Sequence, residues 1–185
     1  MKELSLNILD IAKNSVSAGA RLISIDVLET GRQLDIVISD DGCGMDPEFL
    51  AQVTDPFTTT RTTRKVGMGI PLLKMAAEMT GGSFDIQSTV GIGTTVTARF
   101  DRYSIDLPPL GDLAGSVTTL IQGSPDTEFV LTRRRDSEEF LFDTRQIREI
   151  MGGIPLNEPE ILQWMQEYIE ENESLLAAPA ESESL

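Results

Sequence analysis

Two polar residues near the start of the chain have types and a spacing that suit metal-assisted chemistry. Asp10 and Asn14 lie four residues apart in "SLNILDIAKNSVSA", where apolar residues recur at helical spacing. Residues four apart share one face of a helix. Asn14 could therefore offer a neutral oxygen to a hard cation while Asp10 orients or deprotonates a nucleophile beside it. Ordinary solvent-exposed polar positions on an amphipathic helix explain the pair equally well.

A second candidate is the stretch "VISDDGCGMDP", in which a strand-like run ends at two aspartates and two spaced glycines. Asp40 and Gly42 form a common turn signal, since glycine supplies positive φ and aspartate bonds to its own backbone. The positions that follow lack the ligand pattern of an EF-hand. This stretch alone therefore leaves a turn and a binding site both open.

A third candidate is "RKVGMGIPLL", which places Gly67 and Gly69 directly before a helix. Unpaired N–H groups and the positive end of the helix dipole favour a phosphate there, and Arg64 and Lys65 lie just upstream. The chain has no Walker sequence, and Leu72 stands where a dinucleotide fingerprint needs its third glycine. Any nucleotide must therefore bind by another scheme.

The composition excludes several classes of function. The 185 residues carry a formal charge of −15 and contain no histidine, one cysteine and no apolar stretch near the ~20 residues of a membrane helix. The charge argues against a nucleic-acid surface, and the missing imidazole removes Ser-His-Asp triads and Cys-His pairs. Cys43 is expected to be a small filler between glycines. We expect a cytoplasmic protein with no membrane segment.

The hydrophobic patterns predict alternating helices and hairpins. Residues 5–18 and 71–79 read as helices, a shorter helix opens at Asp46-Pro47, and residues 54–69 read as a loop. Strands are predicted in two hairpins, at 21–29 with 32–39 and at 83–89 with 94–100. After a linker at 101–112, we expect strands at 127–133 and 138–142, helices at 144–151 and 159–172, and a disordered tail at 174–185. This order predicts an α+β sandwich.

The three candidate motifs and two further ones, taken together, resemble the GHKL superfamily of ATPases, which includes histidine kinases, anti-sigma-factor kinases, gyrases, heat-shock chaperones and MutL-type repair proteins. "DIAKNSVSAGA" resembles the N box, "DDGCGM" the first glycine box and "DPFTTT" the F box. "KVGMGIPL" resembles the second glycine box and "GIGTTVTARF" the last one. All five occur in the family's order within residues 5–100, and they imply a Bergerat fold with a mixed sheet and helices on one face.

The resemblance assigns roles to the candidate residues, with ATP and Mg²⁺ as cofactors. Asp40 would read the adenine amine, Gly42 and Gly44 would let the backbone approach the ring, and Thr94 would bond at the pocket floor. Asn14 would hold Mg²⁺, and Asp10 would be the catalytic carboxylate. A lid over 57–66 would contribute the remaining binding residues, Phe57, Arg64 and Lys65, next to the phosphate-facing hinge of Gly67 and Gly69.

Two departures from the family bear on function. Asp10 stands where MutL-like and chaperone members carry glutamate, and the chain lacks the histidine that a conventional sensor kinase phosphorylates. Three functions remain open: a kinase that transfers phosphate in trans to a partner protein, a slow ATP-hydrolysing conformational switch, and a nucleotide-sensing adaptor. The sequence leaves the oligomeric state unknown.

We predict an ATP-binding domain over 1–101 and a small acidic α+β extension over 102–173. The extension carries most of the negative charge, and its helix "EILQWMQEYIEEN" spaces Ile161, Met165, Tyr168 and Ile169 along one face. This helix either packs on the domain or binds a partner, and packing is the simpler interpretation.

Overall fold

A six-stranded mixed sheet forms one layer of the molecule. The computed structural model describes residues 3–55 and 68–177, and in these ranges the strands are β1 Leu22–Thr30, β2 Gln33–Asp40, β3 Ser83–Thr89, β4 Gly93–Asp101, β5 Glu128–Arg135 and β6 Glu138–Asp143. They lie in the order β3-β4-β2-β1-β5-β6. The β1–β5 pair is parallel, and all other neighbours are antiparallel. Both predicted hairpins, β1–β2 and β3–β4, are confirmed.

Alternation of side chains explains why these segments are strands. Ile23, Ile25 and Val27 of β1 are buried, and the residues between them are half-buried. The register places Ile25 opposite Ile38 of β2, so that one face of the hairpin is apolar. A one-residue slip would turn this apolar set toward solvent, and the buried face therefore specifies the register.

The described residues form six helices, at α1 Leu4–Ser17, α2 Pro47–Gln52, α3 Gly69–Met79, α4 Leu113–Gly123, α5 Thr144–Met151 and α6 Pro159–Ala177. Four of them form a layer over the apolar face of the sheet, in the order α3, α1, α4 and α6, because α1 contacts both α3 and α4, and α4 contacts α6. The predicted α+β sandwich is confirmed. No helix in the described ranges has the length and apolar character to cross a membrane.

The helix α4 was not predicted from the sequence, in which residues 113–126, between the linker and the next predicted strand, were assigned no element. Gly115 and the β-branched run Val117 to Thr119 lower its intrinsic helix propensity. Tertiary burial overrides that propensity, since Leu113, Val117, Leu120 and Ile121 are all buried. The recurrence of these apolar residues at helical spacing was the signal available in the sequence.

Two other helix boundaries differ from the prediction. The helix α3 begins at Gly69 and not at Pro71. Pro71 is accommodated at the third helical position, where an N–H would have no intrahelical partner. The helix α6 continues to Ala177, so that residues 174–177 of the predicted tail are helical.

The segment after β4 completes the N-terminal part of the fold. Glu3 provides no side-chain cap for α1. The carbonyl groups of Pro109 and Leu110 instead accept hydrogen bonds from the first two N–H groups of the helix, at 2.9 and 2.8 Å. Residues after 101 thus add two strands to the same sheet and satisfy the start of α1.

The apolar face of α6 packs on the protein itself, as the simpler interpretation predicted. Ile161, Met165 and Ile169 are buried. Farther along the helix, Glu173 accepts a hydrogen bond of 2.8 Å from Nε of Arg133, which is only 5% exposed. Burial raises the pKa of Glu173, against the attraction of Arg133.

Candidate functional site

A cavity of about 420 Å³ opens between α1, the end of β2 and the turn that follows β2. Four of the predicted site residues line it: Asn14, Asp40, Gly44 and Thr94. Apolar side chains form most of the remaining wall, at Ile11, Ile38, Met45, Phe49, Val53, Ile70 and Val96. An apolar cavity with a few convergent polar groups is the usual form of a small-molecule site.

Asp40 is the most firmly held polar group of the cavity. Its Oδ1 accepts a hydrogen bond from the N–H of Gly42 at 2.9 Å, and its Oδ2 accepts one from the hydroxyl of Ser15 at 2.6 Å. A carboxylate has further lone pairs beyond these two bonds. Asp40 is therefore a fixed acceptor that can take an additional donor from a ligand.

The two glycines of the turn have different positions. Gly44 lines the cavity with φ of +71°, and a Cβ added to it would collide with the backbone carbonyl of Thr89. Gly42 is not among the lining residues; a Cβ there would lie 3.0 Å from the Cβ of Ala18. Gly42 thus packs against the end of α1 and holds Asp40, whereas Gly44 brings backbone to the cavity wall.

Thr94 lies next to Asp40 because the two residues are partners in the β2–β4 pairing. Its hydroxyl is 2.7 Å from that of Ser88, which also accepts a hydrogen bond of 2.8 Å from the N–H of Met45. This chain of bonds connects the sheet to the turn after β2. It holds Thr94 at the cavity floor.

Asn14 contributes an unsatisfied polar group. Its Nδ2 is buried and has no hydrogen-bond partner within the described part of the chain. Buried amide groups are normally bonded, so an orphan here points to a missing ligand. An amide N–H is a donor, so its missing partner would be an acceptor, such as a phosphate oxygen. Asn14 therefore fits a position that faces a phosphate, and its role as the magnesium ligand stays a prediction.

Asp10 does not line the cavity but lies beside the first residue of α3. A Cβ added to Gly69 would lie 2.9 Å from the Cβ of Asp10 and 3.2 Å from Cγ1 of Ile11. Glycine at this position thus permits the close approach of α1 and α3. Asp10 thus lies near the N-terminus of α3, where the helix dipole favours a negative charge.

Comparison with known proteins identifies this arrangement. The family model described as "Histidine kinase-, DNA gyrase B-, and HSP90-like ATPase" matches residues 1–104. The chain belongs to this ATPase family.

Relatives of this ATPase domain include sensor proteins. The chain is 35% identical over 107 residues to the sensor protein SrrB of Staphylococcus aureus, covering 55% of this chain and 18% of that protein. It is 32% identical over 101 residues to a Shewanella frigidimarina protein whose name describes a sensor protein, covering 54% of this chain and 15% of the relative. The chain thus spans less than a fifth of the length of these relatives.

The fold likeness extends beyond the family match. A crystal structure of the N-terminal domain of a DNA repair protein superimposes with a TM-score of 0.52 at 17% identity, covering 76% of this chain and 52% of that one. At this identity the likeness concerns the fold alone. The covered 76% of this chain is more than residues 1–104, so the likeness includes residues after 104. This agrees with β5 and β6 belonging to the same sheet.

Four predicted residues of the ATPase site, Phe57, Arg64, Lys65 and Gly67, lie outside the described residues, together with the predicted lid at 57–66. Their roles stay predictions. Within the described ranges, no cluster of three or more histidine, cysteine, aspartate or glutamate residues could hold a metal. A magnesium ion would therefore depend on the amide oxygen of Asn14 and on the phosphates of a nucleotide.

Ser15 and Ser88 are the polar site residues that sequence reasoning missed. Ser15 directly follows Asn14, but only the fold shows that its hydroxyl reaches Asp40, 25 residues away. Ser88 lies in an ordinary polar-apolar alternation, and no local pattern distinguishes it. The backbone of Cys43 has a structural role, because its N–H donates to Ala18 and its carbonyl accepts from Gly91.

Proposed function

We propose that the chain binds Mg-ATP in this cavity and transfers the γ-phosphate in trans to an acceptor on a partner protein. The observation that carries this proposal is the fixed Asp40 carboxylate, held by Ser15 and Gly42 in the same cavity as the unsatisfied amide of Asn14. The first group suits a base and the second, an amide donor, suits a phosphate oxygen.

The chemistry of Asp40 selects adenine. The exocyclic amine of adenine is a donor, and it would bond to a lone pair that Ser15 and Gly42 leave free. Guanine presents a carbonyl oxygen at that position, which would face the carboxylate without a proton between them. GTP should therefore bind poorly.

The composition of the chain favours an acceptor outside these residues when that acceptor is an imidazole. A sensor kinase transfers phosphate to an imidazole, and these 185 residues contain no histidine. An acceptor imidazole would therefore have to come from outside these residues. The matched sensor relatives, which are several times longer than the matched segment, support a signalling role of this kind.

A second candidate function is a conformational switch driven by slow ATP hydrolysis. The position of Asp10 favours it, because a carboxylate beside Gly69 at the start of α3 could orient a water molecule toward a terminal phosphate. In a kinase, the same carboxylate would accept the proton of an incoming hydroxyl.

ATP labelled at the γ-phosphate separates these functions. The chain should be incubated with it alone and with the products of neighbouring genes, using Asp40→Asn as the control with weakened ATP binding. Label on a second protein would support the kinase, and free phosphate alone would support the switch. If neither product forms although ATP binds measurably, the chain would be a nucleotide-sensing adaptor, and the proposal would be contradicted.

A further inference from the structure

A partly exposed apolar stripe runs along α6 at the margin of the face that packs on the protein. Trp164, Tyr168 and Leu175 follow one another at helical spacing and are 43%, 37% and 68% exposed. The rings of Trp164 and Tyr168 stack with centroids 5.5 Å apart. Exposed tryptophan and tyrosine are typical of the energetic centres of protein interfaces.

This stripe adjoins an open edge of the sheet. The strand β6 is last in the strand order, and within the described residues its backbone bonds pair it with β5 alone. The ring of Phe142 in β6 lies 6.3 Å from the ring of Tyr168. The opposite side of α6 faces α4, where Gln166 and Thr118 meet. The stripe and the β6 edge therefore form one lateral flank of the molecule.

The flank carries several glutamates without a cationic partner among the described residues, although Arg134 and Arg145 pair with Glu139 and Asp143 of β6. Glu160, Glu167 and Glu171 lie alongside the stripe, and Glu138 stands at the start of β6. Glu138, Glu160 and Glu171 make no ion pair with any described residue, and the helix α6 contains no lysine or arginine. A ligand with lysine or arginine would neutralise these groups.

The same charges disfavour a second copy of this chain as the occupant. An antiparallel pairing of β6 with its own copy about the strand centre would bring the glutamates of both α6 helices toward each other. Like charges brought together across an interface repel.

We propose that this flank binds an extended segment of a partner protein in which apolar residues alternate with lysine or arginine. The segment adds to β6 as a seventh strand, places its apolar side chains against Trp164 and Tyr168, and pairs its cations with the flanking glutamates. Backbone bonds along the edge supply affinity, and alternate side chains supply specificity, as in other strand-addition complexes. This site is separate from the ATP cavity and goes beyond the proposed function.

The test uses six-residue peptides, the length of β6, and the full chain. The probe alternates lysine and valine, a second peptide alternates glutamate and valine, and a third replaces the central valine of the probe with proline, which removes one N–H. Trp164 is the only tryptophan of the chain, so its emission reports contact at the site itself. The lysine peptide should shift this emission and slow amide exchange in β6, while exchange at the other sheet edge, β3, stays unchanged.

Two variants with a charge-matched control make the test specific. Tyr168→Ala should lower the affinity for the lysine peptide by about tenfold, which is the loss expected at the centre of an interface. Glu171→Lys should also weaken it, whereas Glu78→Lys on the exposed side of the distant helix α3 should not. The proposal would be overturned if the glutamate or proline peptide bound as tightly as the lysine peptide, or if Glu78→Lys lost as much affinity as Glu171→Lys. The absence of any binding of the lysine peptide would also overturn it. A dimer that Tyr168→Ala dissociates would overturn it in favour of a second copy.

Discussion

The hydroxyl of Ser15 on α1 donates to Oδ2 of Asp40 at the end of β2 across 2.6 Å. The N–H of Gly42 occupies Oδ1 of the same carboxylate. Both oxygens are therefore bonded before any ligand arrives, and the direction of the carboxylate is set by two elements of the fold. Preorganisation of this kind lowers the entropic cost of binding.

Asp40→Asn should weaken ATP binding by about five- to 150-fold. An asparagine has one acceptor oxygen, so its NH₂ group would face the N–H of Gly42 or the amine of adenine, or would require the Ser15 hydroxyl to accept and not donate. Such a mismatched buried group costs about 1–3 kcal/mol. Calorimetry with Mg-ATP measures the effect. Asp41→Asn is the matched control, since Asp41 bonds only to the N–H groups of Arg21 and Leu22. Unchanged ATP affinity in Asp40→Asn would remove the base-reading role.

Asp10→Asn should retain Mg-ATP binding and lose turnover. Asp10 lies beside Gly69 and outside the cavity lining, so we expect the loss of its charge to affect turnover and not the binding of the base. Loss of a general base typically reduces rate by ~10²–10⁴. Asn14→Ala should instead weaken both binding and turnover, because it removes the expected cation ligand. If every turnover of Asp10→Asn equalled that of the parent chain, Asp10 would be a structural residue.

Gly44→Ala should destabilise the protein by about 1–3 kcal/mol. The residue has φ of +71°, and the added methyl group would meet the carbonyl of Thr89. Urea unfolding measures the change. Gly123→Ala serves as the control, because no atom lies within 4 Å of its added Cβ. Equal stability of the two variants would show that the turn can rearrange.

Asp143→Ala should lower stability at neutral pH by about 1 kcal/mol, the usual value of a helix cap. The carboxylate accepts the N–H of Arg145 at the start of α5, and the Arg145 guanidinium holds its pKa below the ordinary value. A lowered pKa contributes stability above the pKa of the unfolded chain and loses it as pH falls through the folded value. The difference from the parent chain should therefore disappear in strong acid. Unfolding of Asp143→Ala and the exposed control Asp126→Ala across pH tests this.

Truncation after Phe100 should prevent cooperative folding. It removes β5, the parallel neighbour of β1, and the carbonyl groups of Pro109 and Leu110 that cap α1. Light scattering and urea unfolding of the fragment, beside the full chain, report the outcome. A soluble fragment that binds ATP would instead mean that the C-terminal part is dispensable for the fold and favour its use for partners.

The sequence predicted those features that depend on local pattern. Period-two alternation placed both N-terminal hairpins, and the spacing of Asp10 and Asn14 placed them on one helix face. The bond from Ser15 to Asp40 and the pairing of β5 with β1 could not be predicted, since they join residues 25 and about 105 positions apart through tertiary packing. Helix α4 was missed because burial, and not propensity, stabilises it.

The parallel pairing of β1 with β5 has a consequence during synthesis. About 100 residues separate the end of β1 at Thr30 from the start of β5 at Glu128. At ~5–20 residues per second, a ribosome needs roughly 5–20 s to make that stretch. Throughout this interval the backbone of Leu22–Thr30 has a hydrogen-bonding edge without its final neighbour. The nascent chain is then most vulnerable to wrong strand association, so a slow elongation step between β4 and β5 should reduce the yield of native protein.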